Sequence, residues 1–239
     1  MTRRRWIADE VSGDQAFLTG QNADHLVRVL RARVGQQFEI ATPDGVRLGE
    51  IIGIQPQRVA FSTTAISDQQ DRQHSSKVHL YLAVFKFDRF EWAVEKCTEL
   101  GVSSIVPMIT TRTDAHLAAA AAKRVERWRR LAHGAAQQSR RSQVPEIRVP
   151  EKLEKSVLAA AGQRIVLAES EREQSLADLV DSASEISIAV GPEGGWTESE
   201  LALFGQARWA QASLGPMILR AETAAMAALA VVQAQNHLR

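Results

Sequence analysis

From Val78 onward, apolar runs of strand length alternate with segments of helical spacing, and this alternation is the strongest constraint on the fold. The run Val78–Phe85 is almost continuously apolar, which is typical of a strand covered on both faces. Asp88 follows it as a predicted helix cap, with Glu91 completing a capping box. The same alternation of strand and helix patterns continues to the end of the chain and predicts an open parallel sheet with helices on both faces.

The later elements of this domain are predicted from the same two periodicities. The further strands are expected at Ser104–Ile109, Glu146–Val149, Arg164–Ala168, Ile186–Val190 and Trp209–Leu214. The helices are expected at His116–Ser139, 151–161, 173–180, 197–205 and Glu222–Asn236. A second capping box, Thr197-x-x-Glu200, is predicted to open the helix at 197–205.

The first 70 residues have a different pattern, which predicts a small β-barrel. The turn signal Pro43-Asp44-Gly45 joins two apolar strands, Gln37–Ala41 and Val46–Ile52, into a hairpin. Arg58–Phe61 is a further predicted strand, and Asn22–Arg31 has the spacing of a helix.

The length of 239 residues allows two domains, and one polar stretch is a candidate linker between them. Ser67–Ser76 has no apolar period and is rich in glutamine, serine and aspartate. We therefore expect one domain over residues 1–72 and a second over residues 73–239.

Composition excludes several classes of protein. The net charge of +1 means that any binding of nucleic acid would have to come from local basic patches. The single cysteine, Cys97, rules out an intramolecular disulfide, and its place on the apolar stripe of its helix predicts a buried structural thiol. The six histidines have no ligand spacing with cysteine or acids, so no metal site is expected. No apolar run reaches membrane-spanning length, and we expect a cytoplasmic protein.

The segment Gly191–Gly195 leaves an apolar strand and precedes a capped helix. Ligands bind at such carboxyl ends of strands in open α/β sheets, and glycine lets the backbone approach them closely. The glycine spacing is neither G-x-G-x-x-G nor that of a P-loop, so it supports neither dinucleotide nor nucleoside-triphosphate binding. A simple connecting turn is the alternative.

The segment Leu219–Thr223 joins another strand end to the last helix. Glu222 and Thr223 suit the start of a helix, where the dipole favours an acidic side chain. Arg220 is not explained in this way, because a positive charge is unfavourable at a helix start unless it pairs or faces an anion. The segment is therefore a second candidate for ligand contact.

Basic side chains concentrate in two regions that could contact the phosphates of a nucleic acid. Between residues 123 and 141 there are seven of them with one acid, Glu126. Such a density can neutralise several phosphates, although a solvated helix face is the usual alternative. The second region lies in the first domain. The candidate residues of both regions for contact with nucleic acid, which the resemblance described below identifies as RNA, are Arg3, Arg4, Arg28, Arg31, Lys123, Arg127, Arg130, Arg140 and Arg141.

Five motifs, in order along nearly the whole chain, resemble those of the RsmE family in the SPOUT methyltransferase superfamily. They are His25-Leu26-x-x-Val29-Leu30-Arg31, Glu95–Val102, Gln138-Ser139-x-Arg141-x-x-Val144-Pro145-Glu146-Ile147, Gly191–Gly195 and Leu214–Ala224. Three positions depart from the family pattern. Met217, Gln137 and Arg140 stand where relatives often carry arginine, glutamate and glycine.

The resemblance implies a PUA-like amino-terminal domain that helps hold RNA, and an α/β domain whose carboxyl-terminal segment forms a deep trefoil knot. It also implies a homodimer that transfers a methyl group from S-adenosylmethionine to N3 of a uridine in 16S ribosomal RNA of the small ribosomal subunit. The implied cofactor contacts are Gly191, Gly194, Gly195, Leu214, Gly215, Ile218, Leu219, Arg220, Glu222, Thr223 and Ala224. Arg220 is the expected stabiliser of the developing uracil anion, and Glu222 is a candidate base.

Alternatives to this function stay open. The same fold could methylate a different RNA site, or the chain could be a non-catalytic RNA-binding or assembly protein. The two glycine segments argue against the latter, because a binding module would not need both. A phosphate-handling enzyme is disfavoured by the missing P-loop lysine.

Overall fold

The computed structural model of this chain describes residues 4–66, 76–180 and 185–237. The chain divides into two compact units, Met1–Gln73 with Ala136–Gln143 and His74–Ala135 with Val144–Arg239. The candidate linker Ser67–Ser76 lies outside the described residues except for Ser76. Residues 136–143 were expected in the second domain from the sequence, and they group with the first unit.

The first unit is built on a six-stranded sheet. Its strands are β1 (Trp6–Ile7), β2 (Glu10–Ser12), β3 (Gln15–Thr19), β4 (Gln37–Thr42), β5 (Gly45–Gln55) and β6 (Arg58–Ala65). Their order is β1-β4-β5-β6-β3-β2, and every neighbouring pair is antiparallel except β1 with β4. The buried side chains of Trp6, Leu18, Leu26, Ile40 and Phe61 form its core.

The hairpin predicted at Pro43-Asp44-Gly45 is confirmed, since Thr42 pairs with Gly45 at the end of β4 and β5. The helix expected over Asn22–Arg31 is wrong in its bounds and type. A short helix α1 (Gly20–Asp24) passes directly into a π-helix, His25–Val29. Leu26 is buried there while Val29 is exposed, so the wider turn breaks up the single apolar face that the helical spacing predicted.

The second unit is built on a parallel sheet, as the sequence predicted. Its strands are β7 (Lys77–Ala83), β8 (Ser104–Ile109), β9 (Glu146–Ile147), β10 (Glu151–Lys152), β11 (Gln163–Leu167), β12 (Glu185–Val190) and β13 (Ala210–Ala212). The order is β10-β8-β7-β12-β11-β13, with β9 also pairing with β8. The carboxyl ends of β12, β11 and β13 therefore lie side by side at one edge of the sheet.

Helices cover both faces of this sheet. They are α2 (Phe87–Glu99), α3 (Ala115–Ala121), α4 (Val125–Gln138), α5 (Leu153–Ala159), α6 (Leu176–Leu179), α7 (Glu198–Gln206) and α8 (Ala221–His237). Successive residues of β7 point to opposite faces, so Leu80 and Leu82 join one buried cluster and Tyr81 joins the other. Residues of α2, α4 and α8 complete the first cluster, and residues of α5 and α7 complete the second.

Two of the expected helix boundaries are wrong. The cap of α2 is Lys86, which makes no side-chain cap bond, so Asp88 lies inside the first turn and the expected capping box does not form. Glu91 instead accepts a hydrogen bond from Arg127 at 2.8 Å. The long helix expected over His116–Ser139 is interrupted by a 3₁₀ turn at Ala122–Arg124. The second capping box is confirmed, with Thr197 and Glu200 bonded reciprocally at the start of α7.

Cys97 is fully buried in α2, and burial raises the pKa of its thiol from 9.0 to about 12. This confirms the prediction of a structural thiol. Across residues 4–66, 76–180 and 185–237, no group of three or more histidine, cysteine or acidic side chains could hold a metal ion. No helix in those same ranges is long and apolar enough to cross a membrane.

Candidate active site

A cavity of about 790 Å³ lies at the carboxyl ends of β11, β12 and β13. Three neighbouring parallel strands end at this place, and the chain that leaves each strand supplies a wall. The wall segments are Ala168–Ser170 after β11, Gly191–Trp196 after β12 and Ser213–Ala221 after β13. Ligand sites of α/β sheets occur at such strand ends, and this volume lies within the range of roughly 300–1,000 Å³ for small-molecule pockets.

The wall after β12 is a tight turn closed by its own backbone. The amide of Gly195 donates to the carbonyl of Pro192 at 2.8 Å, and Gly195 has a left-handed φ of 72° that favours glycine. A Cβ on Gly191 would lie 3.1 Å from the ring of Trp196. The indole of Trp196 in turn donates to the carbonyl of Leu167 at 2.8 Å. The turn thus ties the end of β12 to the end of β11.

The same turn is supported from behind by the start of α7. Glu200 completes the capping box with Thr197 and accepts a bond from the amide of Thr111 at 2.8 Å. Burial raises the pKa of Glu200, but the hydrogen bonds from Thr197 and Thr111 outweigh it and lower the pKa below its ordinary value. Arg112 donates to the carbonyl of Gly194. The carboxylate of Glu200 and the guanidinium of Arg112 together fix the position of the turn.

The wall after β13 is an exposed loop. Ser213 accepts a bond from the amide of Gly215 at 3.1 Å, and Gly215 has a left-handed φ of 113°. No atom lies within 4 Å of where a Cβ on Gly215 would be, so a side chain there would extend into open space. Met217 and Ile218 are 76% and 80% exposed, which is unusual for large apolar side chains that are adjacent in the chain.

Arg89, from the first turn of α2, lines the cavity and reaches both walls. Its Nη1 lies 3.6 Å from Oε1 of Glu193, in the turn after β12. The same atom lies 3.3 Å from Oε1 of Glu222, at the start of α8. The side chain of Glu222 is only 5% exposed, so Arg89 compensates a buried negative charge.

Nine of the eleven cofactor contacts expected from the sequence line this cavity. They are Gly191, Gly194, Gly195, Leu214, Gly215, Ile218, Leu219, Arg220 and Ala224. The other two, Glu222 and Thr223, are not among the lining residues. Glu222 is buried beside Arg89, and Thr223 is exposed at the start of α8. Of the two expected catalytic residues, the structure therefore places Arg220 at the cavity and Glu222 behind its wall.

Several lining residues were not predicted from the sequence, among them Arg89, Arg112, Trp196 and the segment Ala168–Ser170. Ala168–Ser170 could have been found, because it follows a predicted strand that ends beside the two glycine segments in a parallel sheet. Arg89 and Arg112 had no such signal, since each comes from a different part of the chain and reaches the cavity through its length.

The chemistry of the cavity fits an amphipathic, zwitterionic ligand. Arg89, Arg112, Arg172 and Arg220 bring positive charge to its wall. Glu169, Glu193 and Glu198 bring negative charge, and Leu167, Val190 and Leu201 add apolar surface. S-adenosylmethionine, with an amino-acid moiety, a sulfonium and an apolar-faced adenine, matches such a mixture. The residues present therefore fit that cofactor.

The basic residues expected to contact RNA in the first unit have different surroundings. Arg28 is exposed and lies 3.6 Å from Asp24, and Arg31 is exposed with a left-handed φ of 54°. Arg4 donates to Oε1 of Gln137 and stacks over Trp6. Arg3 lies outside the described residues.

The segment 136–143 adds further cations to this unit. Arg140 also has a left-handed φ, 60°, and donates to Glu39 at 2.6 Å, while Arg5 contacts the same carboxylate at 3.2 Å. Burial lowers the pKa of Arg141 to about 10. Nε2 of the buried Gln137 has no hydrogen-bond partner among the described residues. The structure thus brings Arg4 and Arg140 into one cation-rich region.

The expected RNA contacts of the second unit are partly engaged within the protein. Arg127 pairs with Glu91 at 2.8 Å, and Arg130 donates to the carbonyl of Glu126 at 3.4 Å. Lys123 is exposed in the 3₁₀ turn before α4. Arg127 therefore has less free charge to offer than the sequence pattern indicated. Arg130 keeps its charge, because its partner is a neutral carbonyl.

Two family models match the chain. Residues 72–233 match an RNA methyltransferase domain, and residues 18–63 match an RNA methyltransferase PUA domain. The fold and the cavity thus define the class of protein as an RNA methyltransferase of the α/β type with a PUA-like amino-terminal domain.

Individual relatives narrow this class. A ribosomal RNA small subunit methyltransferase E from Synechocystis is 31% identical over 225 residues, covering 91% of this chain and 72% of the relative. Its counterpart from Bacillus subtilis is 28% identical, covering 92% and 90%. The crystal structure of the Neisseria gonorrhoeae protein of the same name, bound to S-adenosylmethionine, superposes with a TM-score of 0.86 at 27% identity, covering 97% of both chains.

The chain belongs to the ribosomal RNA small subunit methyltransferase E family. This confirms the resemblance to the RsmE family that the five motifs indicated. It also confirms the expected fold class of a parallel α/β sheet preceded by a PUA-like domain. The trefoil knot in the carboxyl-terminal segment stays a prediction.

Proposed function

We propose that this protein transfers the methyl group of S-adenosylmethionine to N3 of a uridine in 16S ribosomal RNA of the small ribosomal subunit. The observation that carries the proposal is the cavity that both glycine segments form at the ends of β12 and β13, on either side of β11. Membership of the family and the cofactor bound to the Neisseria gonorrhoeae relative support it.

The nine expected contact residues that line the cavity would hold the cofactor, through the turn Gly191–Gly195, the loop Leu214–Arg220 and Ala224 of α8. When bound, S-adenosylmethionine supplies a methyl group already activated by its sulfonium. The remaining task of the protein is to position the two reactants and to handle the proton on N3. Because N3 lies on the Watson–Crick edge, the target uridine must be unpaired.

Arg220 is the proposed catalytic residue. It is exposed and lines the cavity, so its guanidinium can reach a uracil that enters from solvent. A cation at that place would stabilise the negative charge that develops as the N3 proton leaves. Glu222 is held by Arg89 and does not line the cavity, so we assign it to the architecture of the site in preference to proton transfer.

We also propose a division of labour between the two domains. Residues 1–72 would hold RNA, and residues 73–239 would carry the reaction. The exposed Arg28 and Arg31 and the cation-rich region of Arg4, Arg140 and Arg141 are the proposed phosphate contacts of the first unit. Lys123, Arg127 and Arg130 are the corresponding candidates of the second.

Assembly and location complete the proposal. We infer that a homodimer covers Met217, which is 76% exposed at the border of the cavity. We infer that the segment after β12 is threaded into the knot expected for the SPOUT superfamily, and that the protein acts in the cytoplasm, where its ribosomal RNA substrate is made.

The test is to map N3-methyluridine by mass spectrometry in 16S ribosomal RNA from a strain that lacks the gene. Loss of one modified uridine, restored by the wild-type gene and not by Arg220→Ala, is the expected result. Binding of S-adenosylmethionine by Arg220→Ala, measured by calorimetry, controls for an intact cavity. An unchanged modification map in the deletion strain would refute the proposal.

The same experiment separates the alternatives. If a different RNA loses its methyl group, the reaction is correct and the site is wrong. If no RNA changes and the purified protein binds no S-adenosylmethionine, the chain is a non-catalytic RNA-binding or assembly protein.

A further inference from the structure

Arg89 connects the two walls of the cavity, although it lies far from both in sequence. Glu193 belongs to the turn after β12, and Glu222 follows directly on the loop after β13. One Nη atom of Arg89 lies 3.6 Å from the first carboxylate and 3.3 Å from the second. A movement of either wall therefore changes an ion pair that the other wall shares.

The ion pair between Arg89 and Glu222 is important because it compensates a buried carboxylate. The side chain of Glu222 is 5% exposed, and its Oε2 has no hydrogen-bond partner among the described residues. A buried carboxylate without a nearby cation is strongly unfavourable, so the loop would have to open to hydrate it. The other cations along the cavity wall are Arg112, Arg172 and Arg220, and none of them forms an ion pair with Glu222 in the described structure.

The packing of α2 fixes where Arg89 can reach. Phe90, the next residue, is fully buried in the same cluster as Ala225 and Ala228 of α8. The start of α2 is therefore anchored against the helix that begins with Glu222. Because the backbone of Arg89 is fixed in this way, its guanidinium holds the two carboxylates at a set separation.

We propose that Arg89 is a positioning residue of the methyl-transfer reaction: by bridging Glu193 and Glu222 it sets the separation of the two loops that bind the methyl donor. The inference rests on the proposed function, since it assumes that the cavity binds S-adenosylmethionine. Because Arg89 acts through the two loops, its removal weakens binding of the methyl donor more than binding of RNA.

The test compares Arg89→Gln, Arg89→Lys, Glu222→Gln and the double variant Arg89→Gln/Glu222→Gln with the wild type. Calorimetry gives the Kd for S-adenosylmethionine, and steady-state kinetics give kcat and the KM for RNA. Thermal unfolding sets a temperature at which every variant is folded.

The matched control is Arg148→Gln. Arg148 lies 3.2 Å from Glu151, whose side chain is 4% exposed, and Arg148 does not line the cavity. The control therefore also removes an arginine from a buried glutamate, at a place remote from the proposed chemistry. Glu151 keeps a second partner, Lys155, at 3.0 Å.

Arg89→Gln is expected to raise the Kd for S-adenosylmethionine at least about tenfold, because small displacements of positioning groups are costly. The KM for RNA should stay within about twofold of the wild-type value. Arg89→Lys should recover part of the affinity, since it keeps the charge but cannot bridge two carboxylates with a planar group. The double variant should bind the donor more tightly than Arg89→Gln, because the uncompensated carboxylate is gone.

Three outcomes would overturn the inference. One is a Kd for the donor within about twofold of wild type in Arg89→Gln. Another is an equal loss in Arg148→Gln, which would indicate an effect of general stability. The third is a rise only in the KM for RNA, which would make Arg89 an RNA contact.

Failure of the inference and failure of the proposed function are distinguishable. If the wild-type protein methylates ribosomal RNA and Arg89→Gln has an unchanged Kd for S-adenosylmethionine, the role of Arg89 is refuted and the proposed function stands. A wild-type protein that binds the donor but methylates no ribosomal RNA refutes the proposed function, and the donor affinities of the variants still decide the role of Arg89.

Discussion

At Gly162, just before β11, the fold requires a residue without a side chain. Its φ of 68° is left-handed, and a Cβ would lie 2.1 Å from the backbone oxygen of Glu185. That oxygen belongs to the neighbouring strand β12 and cannot move without disturbing the sheet. We expect Gly162→Ala to lower the free energy of unfolding by about 2–4 kcal/mol, measured by urea denaturation.

The control for this prediction is Gly134→Ala in α4. Apart from its chain neighbours and the backbone of α4 itself, no described atom lies within 4 Å of the place of its Cβ, and its φ is not left-handed. Alanine should raise the free energy of unfolding there by roughly 0.5–1 kcal/mol. Equal effects of the two substitutions would contradict the steric argument.

The buried thiol of Cys97 predicts a specific dependence of stability on pH. Its pKa is about 12 in the folded protein and 9.0 ordinarily, so between these values the unfolded chain loses a proton that the folded protein keeps. Stability therefore falls as the pH rises through this window, by about 1.4 kcal/mol per pH unit from this group.

Urea denaturation at pH 8 and pH 10, for the wild type and for Cys97→Ala, measures the contribution of the thiol. We expect the wild type to lose about 1 kcal/mol more than the variant over this interval. Parallel losses in the two proteins would mean that other groups carry the whole dependence.

Residue identities predicted much of the cavity but not its charge network. Gly191, Gly194 and Gly215 are recognisable because glycine beside a strand end has a conformational meaning. Glu222 was explained from the sequence as an acidic residue at a helix start, which gave no indication that it is buried against Arg89. The contact depends on tertiary packing between α2 and α8, and no local pattern encodes such packing.

At the scale of elements, the turn from α1 into the π-helix presents an unusual surface. Val29 and Leu30 are 64% and 49% exposed, between Arg28 and Arg31. Apolar side chains flanked by arginines suit an RNA with unpaired bases, since the arginines meet phosphates and the apolar groups contact base faces.

RNA binding measured by fluorescence anisotropy between 50 and 200 mM salt separates these two contributions. Arg28→Gln should reduce the slope of log K against log salt by about one unit. Val29→Ser should weaken binding with the slope unchanged. Arg58→Gln, whose arginine pairs with Glu10 at 2.8 Å, is the control in the same unit and should leave the slope unaltered. A reduced slope in Val29→Ser would contradict the division of roles.

Element prediction from the sequence succeeded where a local signal and the packing agree. β7 and β12 were found because strands buried on both faces are apolar throughout. Thr197 caps α7 as predicted because Glu200 is also held by Thr111, whereas α2 starts at Phe87 and leaves Asp88 inside its first turn. The short strands β1 to β3 were missed, since two to five residues carry too little periodicity.

At the scale of the whole molecule, the segment 136–143 shows that residues far along the chain can belong to the first compact unit. It begins in the last turn of α4 and is nevertheless grouped with the first unit. Arg5 and Arg140 meet at Glu39, and these residues are separated by much of the chain. A division at a single linker could not have predicted this arrangement, because contacts between distant segments define a compact unit.

The exposed loop after β13 also predicts how two copies of the chain associate. Met217 is 76% exposed beside an even more exposed Ile218, and burying such side chains against a second copy would stabilise a dimer by the usual hydrophobic gain. Met217→Asp should therefore convert a dimer to a monomer at micromolar concentration, as measured by sedimentation velocity, with little effect on the fold of each chain.

Leu158→Asp is the control for Met217→Asp. Leu158 is 67% exposed on α5, away from the loop after β13, so the same change there should leave the mass unaltered. A wild-type protein that sediments as a monomer would contradict the homodimer. A Met217→Asp variant that stays dimeric would place the dimer interface elsewhere on the chain, because a buried unpaired carboxylate at an interface is strongly unfavourable.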